Sequence, residues 1–184
     1  MYQLEEHIFL IGFMGVGKST VARILSRMLG VKEYDTDRMI VAREGREISQ
    51  IFAEDGELAF RRMETDLLED LKGYPPSIIA CGGGVAMRTE NVESMKRQGK
   101  ILLLTASPET IYEHVKDSTN RPLLKDRMSV EGIAELMAKR EPKYMAAADI
   151  CMLTDDMTPR MAAEKIVDVL KNGAPVRLNS VEES

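Results

Sequence analysis

Eight consecutive residues, Gly12-Phe13-Met14-Gly15-Val16-Gly17-Lys18-Ser19, fit the pattern G-x-x-x-x-G-K-[ST]. Glycines at this spacing let backbone N–H groups wrap around phosphate oxygens without a clashing Cβ. A helix opening near Lys18 aims its positive dipole end at the same oxygens. Lys18 can then reach the β- and γ-phosphates, and the Ser19 hydroxyl can ligate Mg²⁺. Gly12, Gly15, Val16, Gly17, Lys18, Ser19 and Thr20 are therefore the candidate nucleotide-binding residues, with Lys18 also a catalytic candidate. The motif leaves the phosphoryl acceptor open. A guanine-reading N-K-x-D is absent from the sequence, and its D-x-x-G match, Asp70 to Gly73, ends a helical pattern instead of following a strand. Both points speak against a GTPase.

Four further groups carry chemistry. Asp35-Thr36-Asp37 closes a short strand pattern, and two carboxylates at the carboxyl end of a parallel strand can face nucleotide phosphates. Their natural roles are metal or water holder and partner of an acceptor hydroxyl; a helix N-cap with solvent-facing neighbours is the plainer alternative. Arg61 and Glu64 stand three apart on a helical pattern, so they share a face and can pair. Gly82-Gly83-Gly84 directly follows a buried strand pattern, where bare backbone lets a small ligand approach closely. Finally, Arg121-Pro122-Leu123-Leu124 lies in a polar stretch without periodicity, and Arg140-x-x-x-Tyr144 lies on the helical pattern beyond it.

The elements that must position these groups alternate along the chain. Ile8–Ile11, Glu33–Asp35, Ser77–Cys81, Ile101–Thr105 and Asp149–Leu153 read as strands, three of them near-continuous apolar runs suited to burial on both faces. Amphipathic helices are expected over Ser19–Leu29, stopped by Gly30, and over Glu57–Leu71. Ser107-Pro108 and Thr158-Pro159 each read as an N-cap followed by an N1 proline. Strand and helix alternating in this way imply right-handed crossovers and an α/β fold with helices on both faces of a parallel sheet. The tail, residues 172–184, contains Gly173 and Pro175 and has no periodicity; it is expected to be disordered.

The chain's 184 residues suit one domain. With 44% hydrophobic and 30% charged residues and a net charge of −5, it reads as a soluble protein without a broad surface for nucleic acid or anionic membrane. Cys81 and Cys151 sit far apart in apolar runs, as buried thiols of a reducing cytosol would. The thirteen methionines read as adaptable core filler. His7 is expected at the surface or as a cap, with no chemistry. No apolar run approaches the roughly 18 residues of a membrane span, and the start lacks a signal-peptide pattern. The chain has no coiled-coil heptads, which makes a monomer the default.

The ordered set G-x-x-G-x-G-K-S, D-T-D, G-E-x-x-F-R-x-x-E, G-G-G, R-P-L-L and R-x-x-x-Y resembles the shikimate kinases from about Ile8 to Leu170. The first motif is common to P-loop proteins; the remainder in this order is specific. The resemblance implies a three-layer P-loop kinase fold with a five-stranded parallel sheet. It also implies a single kinase domain over 1–171, with a lid over about 117–129 and a substrate-binding subdomain over about 35–64. Ser19 and Asp35 would hold Mg²⁺, and Asp37 would bind the acceptor hydroxyls and act in catalysis. Arg61 and Arg140 would grip the shikimate carboxylate, and Gly82, Gly83 and Gly84 would line its ring. Arg121 would meet the nucleotide and the transferring group as the lid closes.

The residue chemistry agrees, because a small carboxylated polyol needs a guanidinium fork for its acid and acceptors for its hydroxyls. Phe60, Phe52 and Ile48 are expected to wall the apolar edge of its ring. The implied activity is ATP-dependent phosphorylation of the shikimate 3-hydroxyl, with ATP and shikimate as small-molecule partners. A kinase of another sugar acid such as gluconate, or an inactive nucleotide-binding regulatory module, are the alternatives. Two positions depart from the pattern: His114 stands where an adenine-side arginine is expected, and Asp155-Asp156 make the adenine-side loop acidic.

Overall fold

In the computed structural model, residues 3–118, 124–173 and the two-residue segment 177–178 are described. In chain order the elements are β1 (His7–Ile11), α1 (Lys18–Leu29), β2 (Glu33–Asp35), α2 (Thr36–Glu44), α3 (Ile48–Glu54) and α4 (Glu57–Asp70). Then follow β3 (Ile78–Ala80), α5 (Thr89–Gln98), β4 (Gly99–Thr105), α6 (Pro108–Val115), α7 (Val130–Ala147), β5 (Ile150–Leu153), α8 (Pro159–Asn172) and β6 (Arg177–Leu178).

The strands form one parallel sheet in the order β2-β3-β1-β4-β5-β6. The five expected strands are all present. Within the tail expected to be disordered, β6 pairs with β5 through Cys151↔Arg177 and Met152↔Leu178. A two-residue strand has no periodicity to read, so it was not visible in the sequence pattern. Every residue of β1 is buried, as its unbroken apolar run requires of a strand covered on both faces.

The order of the strands decides where ligands can bind. From β1 the chain moves to β2 at one edge, returns through β3, and then crosses to β4 on the other side of β1. The direction of winding therefore reverses at β1, and open α/β sheets bind ligands at the carboxyl ends of strands at such a reversal. The glycine-rich loop leaves β1 at that end.

Two apolar clusters support this end of the sheet. The larger surrounds the sheet, with Phe9, Leu10, Ile79, Leu102 and Leu104 fully buried or nearly so. A smaller one joins Ile40, Ile51, Phe60 and Leu67 of α2, α3 and α4, with Ile48, Phe52 and Met63 packed against it. The expected helix ends are present. Ser107 accepts from Thr110 N–H and Thr158 from Met161 N–H, each followed by proline at N1.

His7 departs from the expectation of a surface residue. It is buried, its Nδ1 accepts from Ser77 N–H at 3.1 Å, and Nε2 therefore carries the proton donated to Leu71 O at 3.0 Å. The imidazole ties the start of β1 to the segment entering β3. Both cysteines are buried, as expected.

Candidate active site

The loop between β1 and α1 takes its shape from glycine. Gly12, Gly15 and Gly17 have φ of 144°, 80° and 99°. At Gly12 a Cβ would overlap the carbonyl oxygen of Leu104, so the residue is demanded by space as well as by backbone angle. Gly17 stands at the N-cap of α1, which leaves the first N–H groups of the helix facing the loop. Lys18 folds over it, donating to Gly12 O at 2.7 Å and Phe13 O at 3.0 Å. The ammonium is thus held at the rim of the loop by carbonyls that a phosphate can replace as partner.

Ser19 donates its hydroxyl to Asp35 Oδ2 at 2.5 Å. Asp35 also accepts from Arg38 N–H through Oδ1 at 3.1 Å, so it is the N-cap of α2. The N-cap reading of this aspartate holds, and the carboxylate so fixed faces Ser19. A hydroxyl and a carboxylate in contact beside the phosphate loop form the hard-oxygen donor set that Mg²⁺ takes, with phosphates and water completing its shell. Among the described residues no group of three or more His, Cys, Asp or Glu side chains could hold a metal by themselves.

Thr36 closes the next link. Its buried hydroxyl accepts from Gly82 N–H at 2.8 Å, fastening the D-T-D segment to the glycine triplet across 46 residues. Gly82 itself is crowded by carboxylates: a Cβ there would stand 2.6 Å from Asp37 Oδ1 and 2.9 Å from Glu64 Oε1. At Gly84 a Cβ would overlap the Arg61 guanidinium. The triplet is therefore bare because two acids and an arginine press against it.

Arg61 donates to Glu64 Oε2 at 2.8 Å and to Glu57 Oε1 at 3.0 Å, and its Cζ lies 5.4 Å from the Phe60 ring centroid. Glu64 is 1% exposed. Burial pushes its carboxyl up to about 7, against the charge and hydrogen bond of Arg61, and the charge of Asp37 adds to the rise. Burial lowers the Arg61 guanidinium, but the Glu64 charge and hydrogen bond outweigh it and hold the group above its ordinary range.

Arg140, from α7, lies 5.8 Å over the Phe13 ring and donates to Gly83 O at 3.3 Å. The i, i+4 spacing puts Tyr144 on the same face, where its hydroxyl also donates to Gly83 O.

Two cavities meet here. One, of about 310 Å³, is walled by Ile48, Phe52 and Phe60 on its apolar side and by Asp37, Arg61, Glu64 and Arg140 on its polar side, with Gly83 and Gly84 in its lining. The other, of about 510 Å³, runs from Lys18, Ser19 and Asp35 to His114, Met157 and Pro159. Met14, Asp37 and Gly83 line both. A phosphorylated ligand in the larger cavity and a small acid in the smaller one would thus meet at Asp37.

The family model of shikimate kinase matches residues 14–171. The chain is 42% identical over 171 residues to the shikimate kinase of Thermodesulfovibrio yellowstonii, covering 91% of this chain and 98% of that protein. The chain belongs to the shikimate kinase family. Among solved structures it resembles shikimate kinase from Acinetobacter baumannii in complex with shikimate, with a TM-score of 0.87, 32% identity and coverage of 91% and 94%. The shikimate kinase of Aquifex aeolicus gives 0.78 and 36%, covering 91% and 97%.

Within this shikimate kinase family member the structure brings together Met14 to Thr20, Asp35, Asp37, Arg61, Gly82 to Gly84 and Arg140 around the two cavities, with Gly12 joined to them through Lys18 Nζ. Arg121 lies outside the described residues. On the nucleotide side, Asp155 is committed elsewhere. It accepts from Ser107 N–H at 2.9 Å, Ser107 Oγ at 2.8 Å and Thr110 Oγ1 at 2.5 Å, tying its loop to the start of α6. Burial pushes that carboxyl up, but these hydrogen bonds outweigh it and leave it below the ordinary range. Of the two acids read from the sequence, Asp155 is thus taken up at the start of α6, and Asp156 is exposed. His114 Nδ1 donates to Gly15 O at 2.7 Å, which ties α6 to the phosphate loop. Sequence reasoning assigned no part to Thr36 or Tyr144; the D-T-D and R-x-x-x-Y patterns contain both, but their partners lie 46 and 61 residues away.

Proposed function

We propose that the chain transfers the γ-phosphoryl group of ATP to the 3-hydroxyl of shikimate, with one substrate in each cavity. Membership of the family makes it an ATP-dependent kinase of shikimate. The single observation that carries the division of labour is that Asp37 lines both cavities.

The nucleotide phosphates occupy the loop formed by Gly12, Gly15, Val16 and Gly17, with Lys18 on the β/γ oxygens and Thr20 beside them. Ser19 and Asp35 hold Mg²⁺, which when bound neutralises charge on the phosphates. Shikimate lies against Phe52, Phe60 and Ile48. Its carboxylate takes the guanidinium groups of Arg61 and Arg140, and its ring rests on Gly83 and Gly84, while Gly82, which the resemblance also assigned to the ring, lines the nucleotide cavity. Arg121 keeps its assignment from the sequence, to the transferring group, within a lid over 117–129; Ser118, from that stretch, lines the shikimate cavity.

In the reaction a bond forms between the acceptor oxygen and the γ-phosphorus while the bond to the ADP oxygen breaks in line. Transition states of this kind are loose, so alignment and charge neutralisation supply most of the acceleration. Asp37 orients the hydroxyl and receives its proton late in the transfer. Residues 35–64 serve as the substrate subdomain, supported by their separate apolar cluster. We place the enzyme in the cytoplasm, supported by its two buried free thiols, and take it to act as a monomer. Among the described residues no helix is long and apolar enough to cross a membrane.

The test is ADP release from Mg·ATP with shikimate and without it, beside gluconate and a nucleoside monophosphate. Release that rises with shikimate alone is expected. Release equal with every acceptor would overturn the assignment.

A further inference from the structure

We propose that Tyr144 is a positioning residue for the acceptor: through Gly83 O it fixes the Gly83–Gly84 peptide so that the Gly84 N–H faces the shikimate cavity as a donor. The inference rests on the acceptor reading given above.

The argument begins with the planarity of the peptide unit. C=O of one residue and N–H of the next point in opposite directions across a trans bond, so holding the first aims the second. Gly83 O is held from one side by two groups of α7, the Tyr144 hydroxyl and Arg140 Nη1. The neighbouring peptide groups are committed elsewhere. Gly82 N–H goes to Thr36 Oγ1, Val85 N–H to Gly82 O, and Met87 N–H to Gly84 O. Among the described residues nothing accepts from the Gly84 N–H. Gly84 also lies directly beneath the Arg61 guanidinium and lines the smaller cavity. A donor aimed from this point stands beside the arginine assigned to the acceptor's carboxylate.

The two anchors of Gly83 O are not equivalent. Arg140 makes the longer bond, and its guanidinium is wanted by the acceptor carboxylate, so binding the acceptor draws it away from the carbonyl. The Tyr144 hydroxyl bonds Gly83 O and Arg140, and neither bond is to the acceptor. The residue is 5% exposed, and burial holds its phenol above the ordinary range, so the hydroxyl stays protonated and donates throughout the working pH range. A glycine triplet has little conformational preference of its own. The tyrosine supplies the constraint that the glycines lack at the moment when the arginine is engaged.

The experiment is Tyr144→Phe, which keeps the buried ring and deletes only the hydroxyl, beside Tyr144→Leu, which deletes the ring. KM for shikimate should rise about tenfold in the phenylalanine variant, the effect of one lost hydrogen bond at a binding surface. KM for ATP should stay within about twofold. The amide resonance of Gly84, which reports the peptide plane, should move in the same variant without ligand. Wild-type shikimate KM in Tyr144→Phe, with impairment confined to Tyr144→Leu, would show that only ring packing matters and overturn the proposal. An equal rise in both KM values would overturn it as well, and so would a raised shikimate KM with the Gly84 amide resonance unmoved, which would trace the effect to the Tyr144–Arg140 bond instead. Failure of the acceptor reading itself would be seen separately, in the wild-type enzyme, as ADP release indifferent to shikimate.

Discussion

Arg61 Nη1 lies 2.8 Å from Glu64 Oε2, and that carboxylate has no exposed side-chain surface. The pair is buried beside the glycine triplet. Glu64 holds the Arg61 guanidinium in place without sharing its outward face, which is the arrangement a carboxylate-binding arginine needs. Breaking such a pair from the acid side leaves a buried cation with only the Glu57 contact. Glu64→Gln should therefore raise the shikimate KM by about tenfold or more, with ATP binding unaffected, as steady-state kinetics with each substrate varied would read.

The same carboxyl makes stability depend on pH. Its value is raised from 4.5 to about 7 on folding, chiefly by burial, so between these two values the folded state binds more protons than the unfolded one. The contribution of Glu64 is complete below pH 4.5, falls as pH rises through that window, and is constant above about 7. Urea titrations of the wild type and Glu64→Gln across this range should show the wild type losing stability relative to the variant between these limits. Parallel curves would remove Glu64 as the cause.

Asp37→Asn should lower kcat by at least about a hundredfold, the scale of a lost proton acceptor and hydroxyl partner. The nucleotide dissociation constant should be preserved, because Lys18 keeps its contacts with Gly12 O and Phe13 O. Calorimetric titration with ADP, alongside turnover measurements, separates the two effects; loss of both together would point to collapse of the loop.

Gly82→Ala places a methyl group 2.6 Å from Asp37 Oδ1 and 2.9 Å from Glu64 Oε1. Both carboxylates must shift, and Asp37 is the one that meets the acceptor hydroxyl. We expect kcat to drop about tenfold or more, while Gly73→Ala, where a Cβ meets nothing, serves as a silent control.

Asp155→Ala removes three acceptor contacts at the start of α6. The loss should be about 2 kcal/mol of stability, read from denaturant unfolding, with the shikimate KM unchanged.

How far the site could be read in the sequence depended on how local its causes are. The phosphate loop, β1 and the two Ser/Thr-Pro helix starts are local: neighbouring glycines, an unbroken apolar run and a cap with its proline contain the whole reason for the structure. Arg61 and Glu64 were legible as a pair from their spacing, but the spacing is the same for a surface ion pair. Burial of Glu64 comes from the glycine triplet and Asp37, which arrive from elsewhere in the chain. His7 looked unremarkable because its partners, Leu71 and Ser77, are 64 and 70 residues away. Asp155 looked like a charge facing the nucleotide until the start of α6 was seen to take it up.

The position of β1 between β3 and β4 has an evolutionary consequence. The residues assigned to the acceptor come mainly from the β2–β3 side and α7, whereas Met157 and Pro159 at the far end of the nucleotide cavity follow β5. Mutations that retune preference among nucleobases can therefore accumulate at His114 or Met157 without disturbing recognition of the acid. New acceptors can be explored through α2–α4 while the triphosphate grip is inherited intact. The two halves of the reaction can drift independently, hinged on one strand that tolerates little change.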